Sequence, residues 1–139
     1  MIARIRKSMD EKEQGFSLVE LLVVMIIIGI LAAIAIPVFL SQREKARDTA
    51  AKADVSTLGK EVAAYYVDGT GDVPTVAVTE GRLIIATIDR GPASDNVTAA
   101  DSTGTDDTNW CVEVTYENGS ADVVSYTAEG GLSDLGTGC

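Results

Sequence analysis

Few side chains in this chain are equipped for chemistry. Glu20 is the only ionisable group in a 25-residue apolar run, residues 16–40. A carboxylate inside such a run costs on the order of 2.5–3.5 kcal/mol on membrane-insertion scales, so it points to a task such as pairing with a cation. Cys111 and Cys139 are the only cysteines and can form one covalent bond. The chain has no histidine, no phosphate-binding glycine loop ahead of a helix, and no Cys/His array. No catalytic residue, metal site or cofactor is therefore expected, and the chain does not read as an enzyme. Asp106-Asp107 reads as solvated loop charge. Asp68, Thr70 and Asp72 alternate like part of a calcium loop but lack the remaining ligands and a distal acid, so they read as a solvated turn.

The elements that would position these groups follow from periodicity. At about 1.5 Å per residue, residues 16–40 span roughly 37 Å, enough to cross a hydrocarbon layer of about 30 Å. Helical pattern continues to about residue 66. There Ala51, Val55, Leu58, Val62 and Tyr65/Tyr66 recur at three- and four-residue spacing and predict a stripe packed on a sheet. Asp48 and Lys52 are placed as an i,i+4 pair on the opposite side. Gly29 and Pro37 weaken the apolar half, since proline removes an amide donor and glycine has poor helix propensity. Residues 75–79 and 82–88 predict a hairpin around Glu80-Gly81. Residues 89–109 read as a long polar stretch with a short strand near Val97. Residues 111–116 and 121–127 predict a second hairpin around Asn118-Gly119, with Cys111 opposite Tyr126. Residues 128–139 form a glycine-rich tail.

The junction Gly15-Phe16-Ser17-Leu18-Val19-Glu20, followed by Leu21-Leu22-Val23-Val24, resembles the prepilin signature of type IV pilins. Gly29 and Pro37 also fall where that family weakens its helix. The resemblance is specific over residues 15 to about 66 and covers only the general plan beyond. It implies cleavage between Gly15 and Phe16 by a prepilin peptidase and N-methylation of Phe16. It also implies use of Glu20 in assembly of a helical homopolymer. Physically, cleavage frees an ammonium on Phe16, which can pair with a neighbour's Glu20 in a low-dielectric bundle and set axial register. The implied fold is α+β: a long N-terminal helix, half transmembrane and half amphipathic, packed on a small antiparallel β-sheet head. The implied divisions are a leader (1–15), a transmembrane or filament-core helix (16–40), and an amphipathic helix with a β-rich head (41–139). An exported head with two cysteines implies a Cys111–Cys139 disulfide.

The function expected from the resemblance is that of a structural pilus subunit. Its partners would be an assembly machinery with an ATPase and a membrane platform. It would be a single-pass inner-membrane prepilin first and an extracellular filament afterwards. The alternatives are a pseudopilin of a type II secretion or competence system and a membrane-anchored acidic binding domain. Ala33-Ile34-Ala35 also has the look of a signal peptidase site, against which stand the long apolar run and the helical pattern beyond it. The leader mixes Arg4, Arg6, Lys7 and Lys12 with Asp10, Glu11 and Glu13, so charge orients the span only weakly. Residues 68–139 carry thirteen Asp/Glu against Arg82 and Arg90. Such a head is solubilised by its charge and lacks the cations that nucleic acid requires, so no nucleic-acid partner is expected of this subunit.

Overall fold

The computed structural model describes residues 15–68 and 71–139. Residues 1–14 of the expected leader and the centre of the Asp68–Asp72 turn lie outside the described residues. Helix α1 (Leu18–Asp68) comprises 51 residues and contains both Gly29 and Pro37. By contact, the chain divides into two units, Met1–Phe39 and Leu40–Cys139.

In the first unit the large apolar side chains from Phe16 to Phe39 are exposed, between 46% and 80% of their reference area. An isolated helix of this composition has nothing apolar of its own to cover it. In the second unit α1 becomes amphipathic. Ala51, Val55, Leu58 and Val62 are fully buried, each aliphatic side chain of Val or Leu size contributing about 1.5–3 kcal/mol of hydrophobic stabilisation. The stripe fades at its end, where Tyr66 is half-buried and Tyr65 is exposed.

Seven strands follow: β1 (Val76–Thr79), β2 (Arg82–Ile85), β3 (Ile88–Pro92), β4 (Val97–Gly104), β5 (Trp110–Tyr116), β6 (Val123–Thr127) and β7 (Gly131–Leu132). They form two antiparallel sheets, ordered β1-β2-β3 and β4-β5-β6-β7. The fold class is therefore α+β with a long N-terminal helix, as expected. The centre of the core is β5, where Trp110, Val112, Val114 and Tyr116 alternate inward at the two-residue period of a strand. β1 packs beside β4, and the Ser102 hydroxyl donates to the Pro74 carbonyl at 2.8 Å across that junction.

Three expectations need correction. The predicted strand over residues 82–88 breaks at Ala86-Thr87, both with positive φ (47° and 73°), and returns as β3. Neither residue signals a turn, and a β-branched residue rarely takes this conformation; the Ala86 amide holds it by donating to the Thr75 carbonyl at 2.9 Å. The polar stretch 89–109 is mostly strand, because β4 draws its order from pairing with β5 rather than from apolar alternation of its own. The last hairpin is shifted by one residue: Cys111 pairs with Thr127, and the Tyr116 amide donates to the Asp122 carbonyl at 2.9 Å. Residues 117–121 thus form a wider loop than a two-residue Asn-Gly turn.

A strap joins the two sheets along α1. The Arg90 guanidinium pairs with Glu61 at 3.0 Å. The Ser94 amide donates to Asp54 at 2.7 Å, and the Asn96 amide group donates to the Arg47 carbonyl at 3.2 Å. The helix anchors 61, 54 and 47 recur every seven residues, about 10.5 Å apart, on one side of the helix. The strap runs antiparallel to α1.

Candidate assembly site

Gly15, Phe16 and Ser17 lead into α1 in non-helical conformation. The Glu20 amide donates to the Ser17 hydroxyl at 3.2 Å, and the Ser17 amide donates to the Glu20 carboxylate at 3.3 Å. This is a capping box, in which Ser and Glu three residues apart satisfy two amides that a helix start otherwise leaves unpaired. Glu20 also lies in the first turn, where the helix dipole favours negative charge. The Ser17-x-x-Glu20 spacing carries this signal in the sequence, but the sequence reading assigned Glu20 only an intermolecular role. Phe16, at the proposed cut, is 80% exposed, and Glu20 is exposed too. Every residue from Gly15 to Glu20 is exposed.

Cys111 and Cys139 are disulfide-bonded, with S–S 2.05 Å and Cα–Cα 5.8 Å. The tail that carries Cys139 is also sutured by hydrogen bonds. The Ser133 amide donates to the Ser125 carbonyl, and the Gly136 amide donates to the Val123 carbonyl at 2.8 Å. The Ser125 hydroxyl donates to the Ser133 hydroxyl at 2.9 Å, and the Cys139 amide donates to Glu113 at 2.6 Å. The covalent bond closes an excursion that non-covalent contacts already hold.

A buried polar contact of the head lies where the i,i+4 pattern does not place it. Asp48 does not sit on the outer side of α1 with Lys52. It is only 7% exposed and faces the loop between β5 and β6. The Ser120 amide and the Tyr116 hydroxyl donate to its Oδ1 at 2.8 and 3.1 Å, and the Ser120 hydroxyl donates to its Oδ2 at 2.6 Å. Burial raises the Asp48 carboxyl, but these bonds, aided by the charge of Lys52, outweigh it and leave the pKa below its ordinary value. Burial, with the neighbouring Asp48, pushes the Tyr116 hydroxyl up to about 12. The Asp48 contact explains the wide loop, since Ser120 must reach the helix. Gly59 was also missed: a side chain there would overlap the Tyr126 ring, which stacks on Trp110 at 6.1 Å.

Among the described residues, no group of three or more His, Cys, Asp or Glu is placed to hold a metal ion. Asp106 instead closes its own loop, accepting from the Thr108 amide and hydroxyl and from the Asn109 amide.

Residues 11–36 match the family described as the prokaryotic N-terminal methylation motif. A fimbrial protein of Dichelobacter nodosus is 34% identical over 137 residues, covering 94% of this chain and 79% of that protein. The type IV wide pilus major component of Thermus thermophilus is 44% identical over 55 residues, covering 40% of this chain and 42% of its own. The type II secretion system core protein G of Pseudomonas aeruginosa is 37% identical over 57 residues, 41% of this chain. That match spans only 40% of the secretion protein's length, so the likeness there does not extend through the whole of it.

Proposed function

The chain belongs to the type IV pilin family, and from that premise we propose that it is a structural subunit of a type IV pilus. The observation that carries this reading is the reach of the fimbrial match, which runs through the head as well as the helix. Residues 1–15 are a leader, residues 16–40 the membrane anchor and later the filament core, and residues 41–139 the surface head. A prepilin peptidase cuts between Gly15 and Phe16, and the new amine of Phe16 is methylated. Before assembly the subunit is a single-pass protein of the inner membrane. An ATPase-driven machinery with a membrane platform then builds it into an extracellular helical homopolymer.

In this reading the exposed apolar side chains of residues 16–40 exchange lipid for one another. Glu20 pairs with the Phe16 ammonium of a neighbour, and a misplaced subunit leaves both charges desolvated and unpaired. Gly29 and Pro37 weaken the helix so that it can loosen within the filament.

The second reading is a pseudopilin, favoured by the matches to secretion core proteins over 57 and 76 residues. Mass spectrometry of sheared surface filaments separates the two. A polymer composed of this chain, beginning at methylated Phe16, is the expected result. An N-terminus at Met1 or after Ala35 refutes the processing. Absence of surface filaments, with loss of enzyme secretion on deleting the gene, refutes the pilus in favour of the pseudopilin.

A further inference from the structure

The loop between β5 and β6 carries the pair Asn118-Gly119, and the fold leaves little choice at either position. Asn118 is exposed and sits in the left-handed region, with φ 60°, a conformation that asparagine enters more readily than most residues with a side chain. Gly119 is pressed against the helix, and a Cβ there would overlap Asp48 and the Tyr116 ring. The turn therefore holds an asparagine followed by a residue with no side chain.

That pair has a chemistry of its own. The backbone nitrogen of Gly119, on losing its proton, attacks the side-chain carbonyl carbon Cγ of Asn118. A new C–N bond forms, the bond from Cγ to the side-chain nitrogen breaks, and ammonia leaves with the proton. Water then opens the succinimide ring at either of its carbonyls. One opening gives aspartate. The other gives isoaspartate, in which the main chain runs through the side-chain carbon and is longer by that carbon. The reaction is redox-neutral and consumes only water.

The structure separates Asn118 from the other asparagines, Asn96 and Asn109. Asn96 is half-buried, and its side-chain amide donates to the Arg47 carbonyl at 3.2 Å. The amide that would attack it, that of Val97, donates to the Ser94 carbonyl at 2.9 Å. Asn109 donates to the Thr105 hydroxyl at 3.4 Å and is followed by the buried Trp110. Among the described residues, the Asn118 side-chain amide has no hydrogen-bond partner and the Gly119 amide donates to none. The Gly119 nitrogen is also unshielded, whereas a branched or aromatic side chain crowds the nitrogen of Val97 and Trp110.

Anchors on both sides restrain the reaction. The Glu117 amide donates to the Asn96 carbonyl at 2.9 Å, and Arg47 donates to the Asn118 carbonyl at 3.1 Å. The Ser120 amide and hydroxyl donate to Asp48 at 2.8 and 2.6 Å. Ring closure turns the Gly119 nitrogen toward Asn118 Cγ, so the peptide must first swing out of these contacts. In the isoaspartate product the longer chain between Glu117 and Ser120 carries the Ser120 donors off Asp48. The product also sets a new carboxylate next to Glu117.

We propose that Asn118-Gly119 is a site of spontaneous deamidation in the folded head, gated by the Asp48 contact, and that its isoaspartate product releases the β5–β6 loop from α1.

The test ages the full-length protein in detergent micelles at mildly alkaline pH, with Trp110 emission reporting that the head stays folded. Peptide mapping follows all three asparagines, and a protease that cuts before aspartate but not before isoaspartate separates the two products. Asn118 should convert while Asn96 and Asn109 stay intact, and the converted protein should bind an anion exchanger more tightly. Asn118→Gln, whose longer side chain disfavours the ring, should gain no charge there. Ser120→Ala removes one bond that holds the loop and should speed conversion about 5–30-fold by raising the open population. Hydrogen exchange at the Ser120 amide should be faster in the isoaspartate fraction than in unconverted protein. An Asn118 as long-lived as Asn96, or conversion only after unfolding in urea, overturns the site. Equal rates in wild type and Ser120→Ala overturn the gate, and a Ser120 amide equally protected in the isoaspartate fraction overturns the release.

Discussion

Replacing Asp48 should unfasten the β5–β6 loop from the helix. The wild-type carboxylate accepts three bonds of 2.6–3.1 Å, and a hydrogen bond to a charged group contributes about 1.5–3 kcal/mol net. The three do not add in full. Ser120 is exposed, so water recovers part of its loss; Tyr116 is 1% exposed and its hydroxyl would be stranded. A stranded buried donor costs about 1–3 kcal/mol, so Asp48→Ala should destabilise the head by roughly 3–5 kcal/mol and Asp48→Asn by about 1–2. The pH dependence has a definite sign. The folded pKa of Asp48 is depressed, so its stabilisation is present above the ordinary value of 3.8 and is lost as pH falls through the folded value. Tyr116 is raised to about 12, so its contribution is present below the ordinary tyrosine range and is lost as pH rises through about 12. Urea unfolding in detergent micelles, followed by the single tryptophan, Trp110, measures all of this. The gap between wild type and Asp48→Asn should narrow as pH falls below the ordinary value of 3.8, where the unfolded chain takes up a proton that folded Asp48 resists. A loss under about 1 kcal/mol for Asp48→Ala, or a gap unchanged at low pH, would falsify the clasp.

Three other perturbations test separate parts of the structure. Gly59→Ala should destabilise the head by about 1–3 kcal/mol and shift Trp110 emission, because the added methyl displaces Tyr126 from its seat; a stabilised variant with unchanged emission contradicts that packing. Replacing Cys111 and Cys139 with serine should cost about 3–4 kcal/mol by loop closure, yet hydrogen exchange should still find the Ser133 and Gly136 amides protected; a fully exchanging tail means the disulfide alone holds it. Ser17→Ala should fray the start of α1 by about 1 kcal/mol but still give filaments, whereas Glu20→Gln should insert and yet fail to polymerise. Normal pili from Glu20→Gln would show that the carboxylate caps the helix and does not set register.

The division of the chain was legible in its residue types. A 25-residue apolar run has only one low-energy conformation in lipid, and a strict three/four spacing from Ala51 to Val62 permits only one buried face. Those patterns are local, so they survive without knowledge of the fold. The charge partners were not local. Asp48 and Lys52 satisfy every rule for a surface pair until Tyr116 at the end of β5 and Ser120 in the β5–β6 loop, some seventy residues away, reach Asp48. Nothing near Asp48 in the sequence announces that contact. The same distance effect governs the strands. Thr98, Asp101 and Thr103 lack the apolar alternation of a strand and become one because β5 offers a ladder of backbone partners. Ala86-Thr87 lacks turn chemistry and turns because the Thr75 carbonyl, just ahead of β1, holds the Ala86 amide. Composition and period determined the helix, its apolar half and its buried stripe. Long-range hydrogen bonds, which compete with water only once the core has excluded it, decided the register of the last hairpin and the inward turn of Asp48 and Asp54.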